Sequence, residues 1–552
     1  MPLSRLPTPS TRWIALGLLV LVYGGAQWIG RRDVALTDDA YEYLGAAQAY
    51  KAWYLNAWQT VAAGHGDAFR QAVIDRHFQV NHVHPPVAKA LMGAGIALFH
   101  DKLGWLDEID AARTAVMALS TTTAALMFLL CWPVYGPAVS VSAPLFLLVM
   151  PRFFFDSHIE SLDVASAATY FAAVFCFWHG RGSAGWATLA AVAAAVAMGT
   201  KVNGALVVLP LAVAWGVGVM RQPGSGAERR RQMQNPPLAL ILMIELGPIL
   251  AILLWPWLWT DTIGRLMRYM AFYLHHHSSL FYYFGTIYDV PFAPWHAPFV
   301  MTAIATPIPI LALAVLGLGI AAWRWRAASQ VPAEVRDLDT LVVLNAVFTI
   351  GAVALPNVPK YGGVKLFLPF FPFLGILAGI GFNGLAVAVA DRARATARWR
   401  PVVVAAALAA LVVPMGWTLA RIHPYELSYY NALVGGLDGA EHHGFEIQYY
   451  DLWYLDLATW LNTTYPDGVR VHFEPNNKEY IRHAAWYYAT GRLRDNVTIV
   501  SDASRADILV LTHEMRWPQY PAIRDRLRTS RVLHQIAVEG VPLLTVYEIG
   551  GT

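Results

Sequence analysis

Two adjacent carboxylates, Asp38 and Asp39, follow directly on the first long apolar segment of the chain. A carboxylate within hydrogen-bond reach of an acceptor hydroxyl can act as a general base, and a second carboxylate nearby can orient it or raise its pKa. A solvated loop start would explain the same pair without any chemistry. Because other ionisable residues are predicted to reach the same membrane face, we interpret Asp38 and Asp39 as candidate catalytic residues.

Two further stretches bring ionisable groups to that face. His84 precedes Pro85-Pro86, a pair that fixes the backbone, so His84 is either a site residue or the entry to a helix. His158, Glu160 and Asp163 stand just before an apolar helix and exceed what capping of its first turn requires. We therefore treat these three as candidate acceptor-binding or supporting residues.

Cations form the third group. Lys201 interrupts a long apolar stretch, and Lys360, Tyr361 and Lys365 precede another apolar helix. Such cations can hold a phosphate or pyrophosphate at the level of the lipid headgroups. Snorkelling to the interface or simple anchoring of the helix is the alternative.

The second large loop, 258–296, carries Arg268 and the run His275-His276-His277. Adjacent histidines on a helix point in different directions, whereas metal sites gather ligands from spaced positions. We therefore expect Arg268 and His276 to contact substrate or the membrane surface. No metal site is assigned: a divalent metal is an alternative that the residue pattern does not support, and the sequence leaves metal dependence undetermined.

The composition determines what must position these residues. The 552 residues are 57% hydrophobic and 14% charged, which is too apolar for a soluble protein and predicts an α-helical polytopic membrane protein. Residues 86–99 are too short to span and are expected to form a half-span or a partner to the next helix. Eleven runs are long enough to cross a bilayer: 13–29, 113–131, 135–150, 162–178, 185–200, 203–220, 237–257, 297–322, 339–355, 364–390 and 401–420.

Basic residues concentrate in a few short loops, so they indicate orientation and not nucleic-acid binding. By this rule the first loop (31–85), the second loop (258–296) and everything after 421 are extracytoplasmic. We expect a membrane domain over 1–423 and an outer α/β domain over 424–552, with helices at 451–463 and 478–490. Its strands are predicted at Val469–Phe473, Val497–Val500, Ile508–Leu511, Val532–Ile536 and Leu543–Tyr547.

The motifs together resemble a known family, the GT-C glycosyltransferases that use a polyprenyl-phosphate sugar, in the branch of protein O-mannosyltransferases and lipid A aminoarabinose transferases. Asp38-Asp39-Ala40-Tyr41 is similar to the family's Asp-Glu pair, with Asp39 in place of the usual Glu. The further matches are His84-Pro85-Pro86, Ser161-Leu162-Asp163, Thr200-Lys201, Lys365-Leu366-Phe367-Leu368-Pro369, and Tyr425–Asn431 with Gly435-Gly436. One position departs from the pattern: the family's Ser-Arg, just before Ser161-Leu162-Asp163, is Ser157-His158 in this sequence.

The resemblance implies inverting sugar transfer from a polyprenyl-phosphate donor to an acceptor on the extracytoplasmic face. By that implication Asp38 is the base, Asp39 is its neighbour in the acceptor site, and Lys365 with Lys201 or His84 holds the departing phosphate. The acceptor is a protein, a lipid or a glycan, and the location is the bacterial plasma membrane.

Two other classes of protein fit parts of the pattern. A transporter or lipid flippase would place charges at mid-membrane and show two related halves, and only the break at Gly199–Gly204 resembles that arrangement. A membrane-anchored scaffold would not need eleven spans. The sequence leaves the sugar and the acceptor undetermined.

Overall fold

A computed structural model describes residues 9–274, 279–290 and 292–549. Its larger part is a bundle of apolar helices. Within the described residues, eight helices are long and apolar enough to cross a membrane: Ser10–Gly30, Glu108–Tyr135, Val202–Arg221, Gly226–Leu253, Ile308–Arg326, Ala333–Ala354, Phe370–Arg392 and Arg400–Ile422.

Two of the eleven predicted runs fold as shorter helices, namely Pro137–Leu148 and Ala184–Met198, and the run 162–178 folds as Asp163–Gly180, which is not among these eight. The run 297–322 is broken into Ala297–Ala305 and Ile308–Arg326. Thr306, which precedes Pro307, is extended, because a residue before proline is driven out of the helical region. The number of membrane crossings therefore remains a prediction.

The Phe370–Arg392 helix lies at the centre of the bundle, against the Ile308–Arg326, Pro137–Leu148 and Ala333–Ala354 helices. Glycines bring two of these backbones together. A Cβ atom on Gly317 would lie 1.9 Å from the main-chain oxygen of Leu377, and one on Gly381 would lie 1.9 Å from that of Leu313. Small residues at a crossing permit this close approach of membrane helices.

The loops beyond the bundle are themselves folded. In the first loop, the Asp38–Ala62 and Gln71–Phe78 helices pack together through buried aromatic rings. The predicted half-span is helical, Val87–Gly95 continuing as a π-helix over Ile96–Lys102, and it packs on Glu108–Tyr135 as a partner helix. The second loop contains the Thr262–Leu274 helix and an antiparallel hairpin of strands β1 (Leu280–Tyr283) and β2 (Thr286–Asp289).

The C-terminal part contains a five-stranded sheet in the order β4-β3-β5-β7-β6. Strands β4, β3 and β5 are parallel, and β7 is antiparallel to both β5 and β6. Each strand lies where the alternation of apolar residues predicted one: β3 Val469–Glu474, β4 Val497–Ile499, β5 Ile508–Thr512, β6 Val532–Val538 and β7 Val541–Glu548. The helices around this sheet are Leu455–Thr464, Asn477–Ala489 and Tyr520–Leu527.

Residues 424–454 join the bundle to the sheet and are largely buried. The Asn431 amide donates to the main-chain oxygens of Ala303 and Thr306, which leaves the broken helix end satisfied. Leu36 and Trp453 form an antiparallel bridge between the first loop and this segment. The start of the first loop is therefore fixed by residues more than 400 positions later in the chain.

Two of the eight candidate spans are interrupted: Val202–Arg221 is the 3-10 turn Val202–Val207 followed by the α-helix Val208–Arg221, and Gly226–Leu253 is the pair of helices Gly226–Met233 and Leu238–Leu253. The first helix is Pro9–Gly30, and the remaining short helices are Pro151–Asp156 and Gly436–His442. Further 3-10 turns lie at Asp67–Phe69, Pro256–Leu258, Lys365–Phe367, Glu426–Ser428 and Ala503–Arg505.

Candidate active site

A cavity of about 1350 Å³ lies between the helix bundle and the C-terminal sheet. One part of its wall is apolar, with residues such as Leu206, Leu209, Val347, Phe348 and Leu366. Six carboxylates and four cations are the Asp, Glu, Lys and Arg residues of the described wall: Asp38, Asp39, Glu42, Asp163, Asp451, Glu479, Lys201, Lys365, Arg482 and Arg516. Such a cavity suits a ligand with one apolar and one charged part.

Asp38 and Asp39 open the Asp38–Ala62 helix at this wall, and both are half-buried. The main-chain N–H of Asp38 donates to the main-chain oxygen of Tyr450 at 2.8 Å, and that of Asp39 donates to Asp38 Oδ1 at 2.8 Å. Burial, together with the charge of Asp39, raises the pKa of Asp38 to about 7, against the opposing effect of Lys365. Asp38 can therefore exchange a proton near neutral pH.

Lys365 is buried in the same wall. Its Nζ lies 3.4 Å from Asp39 Oδ2 and above the ring of Tyr450, 4.3 Å from the ring centre. Tyr361 places a second ring 5.1 Å from the same Nζ. Burial opposes the charge of Lys365, but the neighbouring carboxylates, Asp39 foremost, raise its pKa above the usual value, so the side chain is an ammonium ion.

A second ion pair lies on the wall, where Lys201 donates to Asp163. The Lys201 side chain begins at the break between the Ala184–Met198 helix and the 3-10 turn Val202–Val207. His84 also lines the cavity, with its Nδ1 atom 2.8 Å from the hydroxyl of Tyr273. Thus six of the predicted site residues share this cavity with Asp38: Asp39, Lys365, Lys201, His84, Tyr361 and Asp163.

Two other predicted residues, Lys360 and Arg268, do not line the cavity. Lys360 donates to the main-chain oxygens of Leu355 and Val358 at the end of the Ala333–Ala354 helix. Arg268 forms an exposed pair with Asp261 at 3.1 Å. His276 lies outside the described residues.

His158 and Glu160 are buried within the protein. The ring nitrogens of His158 lie 2.7 Å from the main-chain oxygen of Phe154 and 2.8 Å from that of Gln27, and burial lowers its pKa to about 4. Glu160 accepts a 2.6 Å hydrogen bond from Arg113. Both side chains are thereby occupied by internal contacts of the fold.

The C-terminal domain supplies residues to the cavity that the sequence patterns did not predict: Asp451, Asn476, Glu479, Arg482 and Arg516. A signal for two of them exists. Asn476 follows strand β3 and Arg516 follows strand β5, and these strands are parallel neighbours. The carboxyl ends of parallel strands meet at one edge of a sheet, which is where ligands of open α/β sheets bind.

Among residues 9–274, 279–290 and 292–549, no group of three or more His, Cys, Asp and Glu side chains has the arrangement of a metal site. The three histidines considered for a metal lie outside these ranges.

No family model matches the chain, and no curated protein matches it in sequence. Solved structures do match over nearly its whole length. ArnT from Cupriavidus metallidurans in the apo state is 15% identical over 98% of each chain, with a TM-score of 0.52. The same protein bound to undecaprenyl phosphate is 14% identical over 98% of each chain, with a TM-score of 0.50.

The archaeal oligosaccharyltransferase AglB from Archaeoglobus fulgidus, in complex with an inhibitory peptide and a dolichol-phosphate, is 9% identical over 93% of this chain and 70% of its own, with a TM-score of 0.45. That score is too low to support an argument, so the assignment of the fold rests on ArnT. The helical bundle, its C-terminal sheet domain and the match to ArnT agree with the fold that the motifs predicted. The chain is therefore an integral membrane protein with the fold of the GT-C glycosyltransferases.

Proposed function

We propose that the protein is an inverting glycosyltransferase that moves a sugar from a polyprenyl-phosphate donor to an acceptor on the extracytoplasmic face of a bacterial plasma membrane. One observation carries this proposal: Asp38 and Lys365, from opposite ends of the membrane domain, line a single cavity that has both an apolar and a charged wall. The acceptor is a protein, lipid or glycan with a free hydroxyl or amine.

In this proposal the apolar wall receives the polyprenyl chain, and the cations bind the phosphate. Lys365 is the first candidate because its charge is maintained and its position is fixed by Asp39 and two tyrosine rings. Lys201 supplies a second ammonium, already paired with Asp163. Fixed cations where negative charge develops stabilise a transition state without reorganisation.

Asp38 is the proposed base. The acceptor O–H or N–H proton moves to an Asp38 carboxylate oxygen while the acceptor atom bonds to the anomeric carbon, and the bond from that carbon to the phosphate oxygen breaks. The bonding electrons leave with the phosphate, which gains one negative charge. Attack from the face opposite the phosphate inverts the anomeric centre, so no covalent sugar–protein intermediate forms.

The test measures the release of undecaprenyl phosphate, because transfer of any sugar from an undecaprenyl-phosphate donor yields this product. Purified protein in detergent is incubated with a panel of undecaprenyl-phosphate monosaccharides and a bacterial envelope extract as the source of acceptor. We expect acceptor-dependent release of undecaprenyl phosphate, and a loss of about 10²–10⁴-fold for Asp38→Asn. Asp67→Asn, which removes an exposed carboxylate of the same loop, is the matched control and should keep the wild-type rate.

Two outcomes would contradict the proposal. A well-folded Asp38→Asn protein with full activity would remove Asp38 from the role of base. Binding of the donors with no release of undecaprenyl phosphate from any of them would favour a lipid flippase, because a flippase moves its lipid without cleaving it.

A further inference from the structure

The segment Tyr450-Asp451, which leads into the C-terminal domain, contacts the backbone of the proposed base. The main-chain oxygen of Tyr450 accepts the N–H of Asp38 at 2.8 Å. Three residues further on, Trp453 and Leu36 exchange main-chain hydrogen bonds of 3.1 and 3.3 Å. The start of the Asp38–Ala62 helix is therefore held by the same segment at two points.

This segment has an unusual backbone conformation. Tyr450 has φ 81° and Asp451 has φ 44°, so two consecutive residues other than glycine lie in the left-handed region. A bulky residue such as tyrosine is rare there, and such conformations persist only where the surrounding structure enforces them. Tyr450 is held by its own side chain, whose hydroxyl donates to Asp156 Oδ1 at 3.4 Å, and Asp451 is held by residues of the C-terminal domain.

Two side chains of the C-terminal domain hold Asp451. Its Oδ2 atom accepts hydrogen bonds from Arg516 at 3.1 Å and from the Asn476 amide at 3.0 Å. Arg516 also contacts Glu514 at 2.7 Å, and all three charged side chains are largely buried. A buried ion pair with additional hydrogen bonds fixes its members in one geometry, which is what a strained turn requires.

We propose that Arg516 and Asn476 are positioning residues for the reaction: by holding Asp451 they keep the Tyr450 carbonyl on the Asp38 amide, and so aim the Asp38 carboxylate at the acceptor. The inference rests on the proposed function for its catalytic consequence. The C-terminal domain is then part of the active site and not a separate binding module. Neither residue needs to touch the substrate for this role.

Arg516 is charged and Asn476 is neutral, so their variants distinguish an effect on the position of Asp38 from an effect on its pKa. The charged groups that act on Asp38 are Asp39 from its own helix, Lys365 from the membrane domain, and Arg516 and Asp451 from the C-terminal side. Arg516 favours the ionised form of Asp38, so its removal should move the acid limb of the pH–rate profile to higher pH. Asn476 is neutral, and its removal should lower the rate and leave that limb in place.

The experiment compares Arg516→Gln, Arg516→Lys and Asn476→Ala with wild type. We expect kcat to fall by up to about 10²-fold for Arg516→Gln and Asn476→Ala, with little change in KM, because a displaced base loses rate more than substrate affinity. Arg516→Lys should recover part of the rate, since it keeps the positive charge but replaces the planar guanidinium, whose Nη2 contacts both Asp451 and Glu514, with a compact ammonium. Arg531→Gln removes an exposed ion pair of the same domain and should resemble wild type.

Hydrogen exchange gives a readout that does not depend on activity. In Arg516→Gln and Asn476→Ala, the peptide covering Leu36–Ala40 should exchange its amide protons faster than in wild type, because the Asp38 N–H loses its fixed acceptor. The Arg531→Gln protein should show no change there. If Arg516→Gln does not fold, Asn476→Ala still tests the proposal, because it removes a hydrogen bond and leaves no buried charge unpaired.

The two proposals can fail separately. Unchanged exchange at Leu36–Ala40 in a folded Asn476→Ala protein, or wild-type kcat in that variant, would overturn the positioning role. Absence of sugar transfer by wild type with every donor would overturn the proposed function, while the exchange result would still decide whether the C-terminal domain holds Asp38.

Discussion

The rate of the proposed sugar transfer should depend on the ionisation of Asp38, whose pKa sets the midpoint of the pH dependence. Burial and the adjacent Asp39 raise the pKa of Asp38 to about 7. A base must be ionised to accept a proton, so activity belongs to the high-pH side of this titration. The ionised fraction is about a tenth at pH 6, about half at pH 7 and about nine tenths at pH 8.

The expected result is a rise of about tenfold in kcat/KM between pH 6 and pH 8, followed by a plateau. The assay is the initial rate of undecaprenyl phosphate release at low donor concentration, over pH 5 to 9 in buffers of constant ionic strength. The donor itself does not interfere, because a phosphodiester carries one negative charge throughout this range. The residual rate of Asp38→Asn should show no such limb, whereas Asp67→Asn should reproduce it.

An acid limb near pH 4 in wild type would contradict this prediction, because the half-buried Asp38 would then ionise as it does in water. A limb that stays near pH 7 in the Asp38→Asn protein would also contradict it, since another group would then be titrating.

Three substitutions test other parts of the structure. Lys365→Gln should lower kcat/KM by about 10²–10³-fold, as expected for loss of one fixed group that stabilises developing charge. The same substitution should shift the acid limb of the pH–rate profile to higher pH. It should also weaken the binding of undecaprenyl phosphate, which native mass spectrometry measures. Gly317→Ala should lower the free energy of unfolding in denaturing detergent by about 1–3 kcal/mol or more, because its Cβ atom would lie 1.9 Å from a neighbouring main-chain oxygen. Gly319→Ala, whose Cβ atom would meet open space, should leave that free energy unchanged. Arg113→Met should lower the free energy of unfolding by about 3–5 kcal/mol in the same measurement, since it leaves the buried Glu160 carboxylate unpaired. A loss no larger than that of the exposed control Arg531→Gln would refute a structural role for the Arg113–Glu160 pair.

The sequence predicted the elements whose signal is local. The five strands of the C-terminal sheet were found because β-branched and apolar residues are concentrated in short runs, as in β3 (Val469–Glu474). The helix Tyr520–Leu527 was missed, since it has eight residues and buries only three of them, spaced among charged ones. The break in the run 297–322 has its cause at Pro307, but hydropathy alone does not register it.

The residues that meet in the cavity were predicted in part, because some of them belong to local motifs. Asp38 and Lys365 belong to short motifs, so residues that meet in the cavity could be proposed from their order alone. Arg113, the first residue of the run 113–131, has no local signal that pairs it with Glu160, and without it Glu160 looks like a free functional carboxylate instead of half of a buried pair. Contacts between residues far apart in the chain, such as Arg516 to Asp451 over 65 positions and the Tyr450 main-chain oxygen to the Asp38 N–H over more than 400, have no counterpart in local spacing.

The arrangement of charges explains how one cavity can serve both ends of the proposed reaction. Before transfer, the ammonium of Lys365 faces the carboxylate of Asp39 at 3.4 Å, with Asp38 contributing to the same field. When the acceptor proton reaches Asp38, one negative charge near Lys365 is neutralised in the same step that gives the departing phosphate its additional charge. Proton transfer and bond cleavage therefore move negative charge from the base to the phosphate, with Lys365 available to both. A cation placed beside the base costs little before the reaction and stabilises the leaving group during it, which is the differential interaction that catalysis requires.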